Sequence, residues 1–144
     1  MDIGELRRRI GRELDLAKRE AGERRRAADD GRAAYQRFLN EIAAPLAKQI
    51  VTVLRAEGHP FTSFTPLESV RLASDRASDD FIEIELDTSA HSPQVVGRTS
   101  LTRGRKGVVV EERPIGPHKA IEALTEEDLV AFLLPELRRL ILRG

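Results

Sequence analysis

The sequence predicts an α+β protein with long N-terminal helices, a four-stranded antiparallel β-meander and a C-terminal amphipathic helix packed on the sheet. The prediction rests on how apolar residues are spaced along the chain. They recur every third or fourth residue before position 58, every second residue between 69 and 113, and every third or fourth residue again after 125. The first spacing is typical of a helix that buries one face, and the second of a half-buried strand.

The first thirty residues predict a helical arm. Asp2, with Glu5 three positions on, has the form of a capping box, so a helix is expected to begin here. A narrow apolar stripe follows on one side of that helix, and the residues around the stripe are charged. A stripe this narrow suits one helical neighbour, which is either a second copy of the chain or the helix that follows. Its members are Ile3, Leu6, Ile10, Leu14, Ala17 and Ala21.

A break is predicted after the arm, at Asp29, Asp30 and Gly31, with Asp30 capping a second helix. We therefore divide the chain into an N-terminal arm, 1–30, and a single α+β domain, 31–144. The second helix carries a broad apolar face, which is typical of a helix that lies on a core. That face consists of Tyr35, Phe38, Leu39, Ile42, Leu46, Ile50, Val53 and Leu54. Pro45 predicts a kink or a new segment, because proline removes a backbone donor and clashes with the preceding turn.

The middle of the chain predicts two β-hairpins, and segment 59–68 before them is assigned as a connector. The alternation of apolar and polar residues places Ile82 and Ile84 on the buried side of one strand and Glu83 on its solvent-exposed side. Short loops between the strands favour an antiparallel meander with one buried face. The four predicted strands are 69–74, 81–87, 95–102 and 107–113.

The last predicted helix begins at Thr125. Its hydroxyl can cap the helix, and the three carboxylates that follow suit the positive end of the helix dipole. An apolar face comes next, so this helix is expected to pack on the sheet. The face consists of Leu129, Phe132, Leu133, Leu137, Leu140 and Ile141.

Composition excludes several classes of function. The chain has no cysteine, which excludes a disulfide framework, a thiolate metal site and thiol catalysis. Its 24 basic and 24 acidic residues cancel, so no net charge steers it toward nucleic acid or an anionic membrane. No apolar run approaches the roughly 20 residues that span a bilayer, and the N-terminus does not resemble a signal peptide. A cytoplasmic location without a membrane partner is therefore expected.

No motif in the sequence predicts a catalytic residue, a metal ligand or a cofactor. The three histidines, His59, His91 and His118, lie in predicted loops and lack the close spacing of a metal site. There is no nucleophile elbow and no phosphate-binding loop. An enzyme with a site in a cleft between sheet and helices remains an alternative, and a pocket joining a loop histidine to Asp or Arg side chains would favour it.

The two predicted hairpins differ in charge. Residues 75–87 contain six acids and one base, whereas residues 95–113 contain five bases and two acids. One interpretation is that opposite charges pair across neighbouring strands on the wet face. The other is that the basic hairpin contacts an anionic partner such as a nucleic-acid backbone. The cations in question are Arg98, Arg103, Arg105 and Lys106.

These observations predict a non-enzymatic interaction or assembly module, most simply a homodimer formed through the arm. Its partner-binding residues would be Ile3, Leu6, Ile10 and Leu14. The alternative is a nucleic-acid-associated or regulatory protein that uses the four cations of the basic hairpin. Nucleic acid is the less favoured partner, because the patch is small and has no interleaved aromatic residue for base stacking.

Overall fold

The computed structural model describes residues 1–89 and 92–143, with Lys106 and Arg143 as backbone only. It confirms the α+β class, with a long N-terminal helical region, an antiparallel meander sheet and a C-terminal helix that contacts the sheet. Of the three histidines considered above, His91 lies outside the described residues.

The N-terminal region is helical from Ile3 to Ala56. Helix α1 spans Ile3–Phe38, a π-helical segment spans Leu39–Ala43, and helix α2 spans Ala44–Ala56. The helix begins where expected, but the Asp2 side chain makes no capping hydrogen bond. Glu5 instead accepts a hydrogen bond from Arg9 Nη2 at 3.0 Å.

The predicted break at Asp29, Asp30 and Gly31 is wrong, because α1 continues through it. Gly31 is buried and packs so closely on Pro93 that an added Cβ would lie 2.8 Å from the Pro93 Cβ. This glycine therefore permits a close contact between α1 and Pro93, which directly precedes one of the strands of the sheet. Asp30, predicted to cap a second helix, is an exposed residue inside α1.

Pro45 marks the start of a new helical segment, as predicted. It lies in the first turn of α2 and directly follows the π-helical segment. The π-helical segment directly before it changes the hydrogen-bonding pattern, so the proline ring is accommodated without ending the helical region.

The sheet has five strands, not four. Their order follows the chain, and each strand is antiparallel to its neighbours. The strands are β1 Phe61–Phe64, β2 Val70–Ser74, β3 Phe81–Asp87, β4 Gln94–Thr102 and β5 Val108–Pro114. Strands β2 to β5 match the four predicted strands to within one residue. Strand β1 lies in the segment assigned as a connector. The sequence did not predict it, because a strand of four residues between two prolines is too short for its apolar alternation to be recognised.

The helices cover one face of the sheet, which we call the inner face. Leu72, Ile82 and Ile84 on this face are almost fully buried. Near the end of α1, the Tyr35 hydroxyl shares its one proton between the carbonyl oxygens of Glu68 at 2.6 Å and Ile84 at 3.2 Å. Burial of this hydroxyl raises the pKa of Tyr35. These contacts fix the end of α1 to the sheet.

Helix α3, Glu126–Arg143, packs on the inner face as predicted. Its start is a capping box: Thr125 Oγ1 accepts from the Asp128 N–H at 3.2 Å, and Asp128 Oδ2 accepts from the Thr125 N–H at 2.9 Å. Phe132 of α3 lies directly over Gly97 of β4, where an added Cβ would be 2.0 Å from the Phe132 Cζ. The absence of a side chain at Gly97 thus sets how closely α3 approaches the sheet.

Candidate functional site

The apolar stripe of the arm lies open to solvent. Ile3, Leu6, Ile10 and Leu14 are between 43% and 76% exposed, and together they line a shallow groove with Arg7. No residue of 1–30 is buried, so nothing in the described part of the chain covers the stripe. Soluble monomers rarely expose contiguous apolar side chains without a function for them. The structure therefore brings these four predicted residues together on one accessible surface.

The stripe is offset around α1 from the rest of the molecule, which we call the body and which begins at Gly31. The buried residues of α1 all lie between Gly31 and Phe38 and define the side of the helix that contacts the body. On a helix of 3.6 residues per turn, Ile3, Ile10 and Leu14 lie about a quarter turn away from that side, whereas Leu6 lies close to it. A partner helix on the stripe would therefore lie beside the body and would not have to displace it.

Oppositely charged side chains of the two hairpins lie next to one another on the outer face of the sheet, which is the face turned away from the helices. Register places Arg71, Glu83, Arg98 and Glu112 side by side on β2 to β5, and we call this row the charge ladder. Arg98 reaches Glu83 at 3.6 Å and Glu85 at 3.7 Å. Cross-strand pairing, the first interpretation of the contrast, therefore accounts for Arg98 and for the acids opposite it.

Glu83 lies on the predicted side of its strand, but its side chain is not exposed to solvent. It is 6% exposed, because Arg71 and Arg98 enclose it from the two neighbouring strands. The Arg71 guanidinium also lies 4.0 Å from the centre of the Phe81 ring. The carboxylates of Glu83 and Glu85 together balance the two guanidinium groups, so this arrangement links three strands and leaves little free charge for a ligand.

The remaining cations of the basic hairpin lie at its tip. Arg103 and Arg105 are exposed in the turn between β4 and β5, and the side chain of Lys106 lies outside the described residues. Arg98 is five residues before Arg103, which corresponds to about 16 Å along a strand. Arg103 and Arg105 therefore do not form one cluster with Arg98.

A second ionic cluster, which sequence reasoning missed, joins α3 to β5. Glu136 is 2% exposed and pairs with Arg113 of β5 and with Arg139 one turn along α3. Arg139 also donates to Glu111 at 2.8 Å, and this hydrogen bond lowers the pKa of Glu111. The only sequence signal was a carboxylate on the apolar side of an amphipathic helix. Every group in this cluster has a partner within it, so its role is to hold α3 on the sheet edge.

A cleft at one end of the sheet combines a loop histidine with Asp and Arg side chains, which is the feature that would favour the enzyme alternative. It is lined by His59, Arg76 and Asp80, between the end of α2 and the end of α3. Asp80 Oδ1, however, accepts hydrogen bonds from Thr102 N at 2.9 Å and Thr102 Oγ1 at 3.1 Å. Arg76 Nη2 donates to the Gly58 carbonyl at 3.4 Å. The acidic and basic groups of this cleft thus hold its walls together.

Comparison with models of protein families, with curated proteins and with solved structures found no match to this chain. Among the residues that the structure describes, no helix combines the length and the apolar character required to cross a bilayer.

Proposed function

We propose that this protein is a non-enzymatic assembly module that self-associates through its N-terminal arm. One observation carries the proposal: Ile3, Leu6, Ile10 and Leu14 form a continuous, solvent-exposed row on a helix that projects from a folded body. Pairing with the same row on a second copy removes both rows from water at once. A twofold dimer is the simplest assembly that makes the two surfaces identical.

Charge supports a second copy as the partner. Residues 1–30 contain nine bases and eight acids, so two arms approach each other with little net repulsion. A strongly acidic or basic partner would gain little from such a surface. The interaction is therefore carried by apolar contact along the stripe, with charge acting locally beside it.

The size of the stripe sets the strength of association. Full burial of a Leu or Ile side chain contributes about 1.5–3 kcal/mol, whereas association itself costs about 4–15 kcal/mol. Four large apolar side chains on each arm therefore support a dimer of moderate affinity. We expect a dissociation constant in the range of about 1–100 µM.

Two leucines on the arm provide a matched test. Leu14 lies on the stripe and is 57% exposed, and Leu16 is 49% exposed but lies more than a third of a turn around the helix. Leu14→Asp is expected to abolish the dimer, because it places a charge inside the apolar contact. Leu16→Asp makes the same chemical change outside that contact and is expected to leave the dimer intact.

Light scattering coupled to size exclusion, at about 200 µM protein, measures the mass of both variants and of the unchanged chain. Thermal unfolding at low concentration checks that the body is unaffected, since neither residue contacts it. Equal masses for Leu14→Asp and the unchanged chain would contradict the proposal. So would equal dissociation of the two variants.

A further inference from the structure

The residues beside the stripe carry charges of opposite sign on its two sides. Positions 3, 7, 10, 14, 17, 21, 24 and 28 alternate in steps of four and three, which is the seam of a heptad repeat. The charged residues Glu13 and Glu20 line one side of this seam, as does Leu6 of the stripe, and the charged residues Lys18 and Arg25 line the other. All four are exposed, and none belongs to an ion pair among residues 1–89 and 92–143.

We propose that two arms pair in parallel and in register, as a two-stranded coiled coil with both bodies at the same end. This inference rests on the proposed function, because it requires that the arms associate. It goes further by assigning their orientation and the residues that select it.

Spacing along the helix supports the parallel arrangement. In a parallel two-stranded coiled coil, charged residues that flank the seam pair between the two helices. The residue that flanks the seam on one side of the first helix lies next to the residue five positions further along the sequence on the second helix, which flanks the seam on the other side. Glu13 therefore meets Lys18 of the second copy, and Glu20 meets Arg25. Twofold symmetry makes each pair occur twice. Two identical arms thus gain four attractive contacts in this one orientation.

The antiparallel arrangement reverses the effect of these charges. There, each side of the seam meets the same side of the partner, so Glu13 and Glu20 face glutamates, and Lys18 and Arg25 face cations. Like charges at such positions destabilise by about as much as opposite charges stabilise. Orientation is therefore selected by charge, although the apolar row alone would allow both directions.

The position of the body is compatible with parallel pairing. The seam residues Ile3, Ile10 and Leu14 lie about a quarter turn from the side of α1 that contacts the body. A twofold axis between two parallel arms then places the two bodies on opposite sides of the paired helices. Arg7 and Arg24 fall inside the seam, where each faces its own copy, and this repulsion limits the affinity.

Pulsed electron-spin measurements on a single-cysteine variant test the orientation. The chain has no cysteine, and Asp2 makes no side-chain capping bond, so Asp2→Cys introduces one labelling site at little structural cost. Parallel arms bring the two labels to within about 25 Å, since paired helices lie 8–10 Å apart. Antiparallel arms separate them by about 40 Å along the helix.

A charge variant gives an independent readout on the full chain. Glu13→Lys with Glu20→Lys turns all four parallel contacts from attraction to repulsion, so the dissociation constant should rise at least about tenfold at low salt. In an antiparallel pair the same variant only exchanges one like-charge contact for another. The matched control, Asp15→Lys with Glu23→Lys, makes the same change in net charge away from the seam.

The outcomes separate the two proposals. A dimer with a short label distance and a selective loss of affinity in the first charge variant supports parallel pairing. A dimer with a label distance near 40 Å, or with equal effects of the two charge variants, overturns parallel pairing and leaves self-association standing. A monomer at about 200 µM overturns both proposals.

Discussion

At the scale of single residues, several side chains are explained by what they touch rather than by their type. Gly31 and Gly97 are required because Pro93 and Phe132 occupy the space that a Cβ would fill. Glu83 and Glu136 are buried carboxylates that arginines enclose. The two glycine contacts and the pairing of Glu136 could not be predicted from the sequence, because each depends on a neighbour distant along the chain, whereas the cross-strand pairing of Glu83 was one interpretation of the charge contrast.

Gly97→Ala is expected to destabilise the body by about 1–3 kcal/mol, because the added methyl group overlaps the buried Phe132 ring. Chemical denaturation at low concentration measures this loss. Gly22→Ala is the control, since no atom lies within 4 Å of an added Cβ there and alanine favours the helix. Equal unfolding free energies for Gly97→Ala and the unchanged chain would show that α3 does not rest on this glycine.

At the scale of elements, apolar spacing predicted most helices and strands because each buries one regular face. Strands β2 to β5 and the start of α3 at Thr125 follow from that pattern. The break at Gly31 was wrongly predicted because a helical glycine can serve packing as well as termination. The stripe on the arm was predicted as a binding surface from its narrowness, but its exposure depends on where the body lies, which spacing alone does not determine.

The start of α3 should depend on pH. Hydrogen bonds from Lys119 and from the Thr125 N–H lower the pKa of Asp128, so its carboxylate is favoured in the folded state. Its stabilising contribution is therefore present above the unfolded pKa of about 3.9 and is lost as pH falls through the lower folded value. Asp128→Asn removes this contribution, so the gap between its unfolding midpoint and that of the unchanged chain should narrow below about pH 4.

Thermal unfolding at a series of pH values measures that gap. Glu127→Gln is a suitable control, because Glu127 takes part in no side-chain hydrogen bond or ion pair among the described residues. If the gap between Asp128→Asn and the unchanged chain stays constant from neutral to strongly acidic pH, the capping carboxylate does not titrate as described.

At the scale of the whole molecule, one uninterrupted helix joins an open apolar stripe to a folded body. Helix α1 is 36 residues long, and its last turns are buried in the body while its residues before Gly31 are not. Such a helix holds the stripe at a defined distance and direction from the sheet. Two chains joined along it would therefore form an assembly of defined shape, with the outer faces of both sheets left free.

The central claim is that the arm joins two copies of this chain, and sedimentation equilibrium across concentration tests it most directly. The account predicts a mass that rises from the 16.1 kDa of one chain at low concentration toward twice that value at about 200 µM. A mass that stays at 16.1 kDa across the whole range would contradict it.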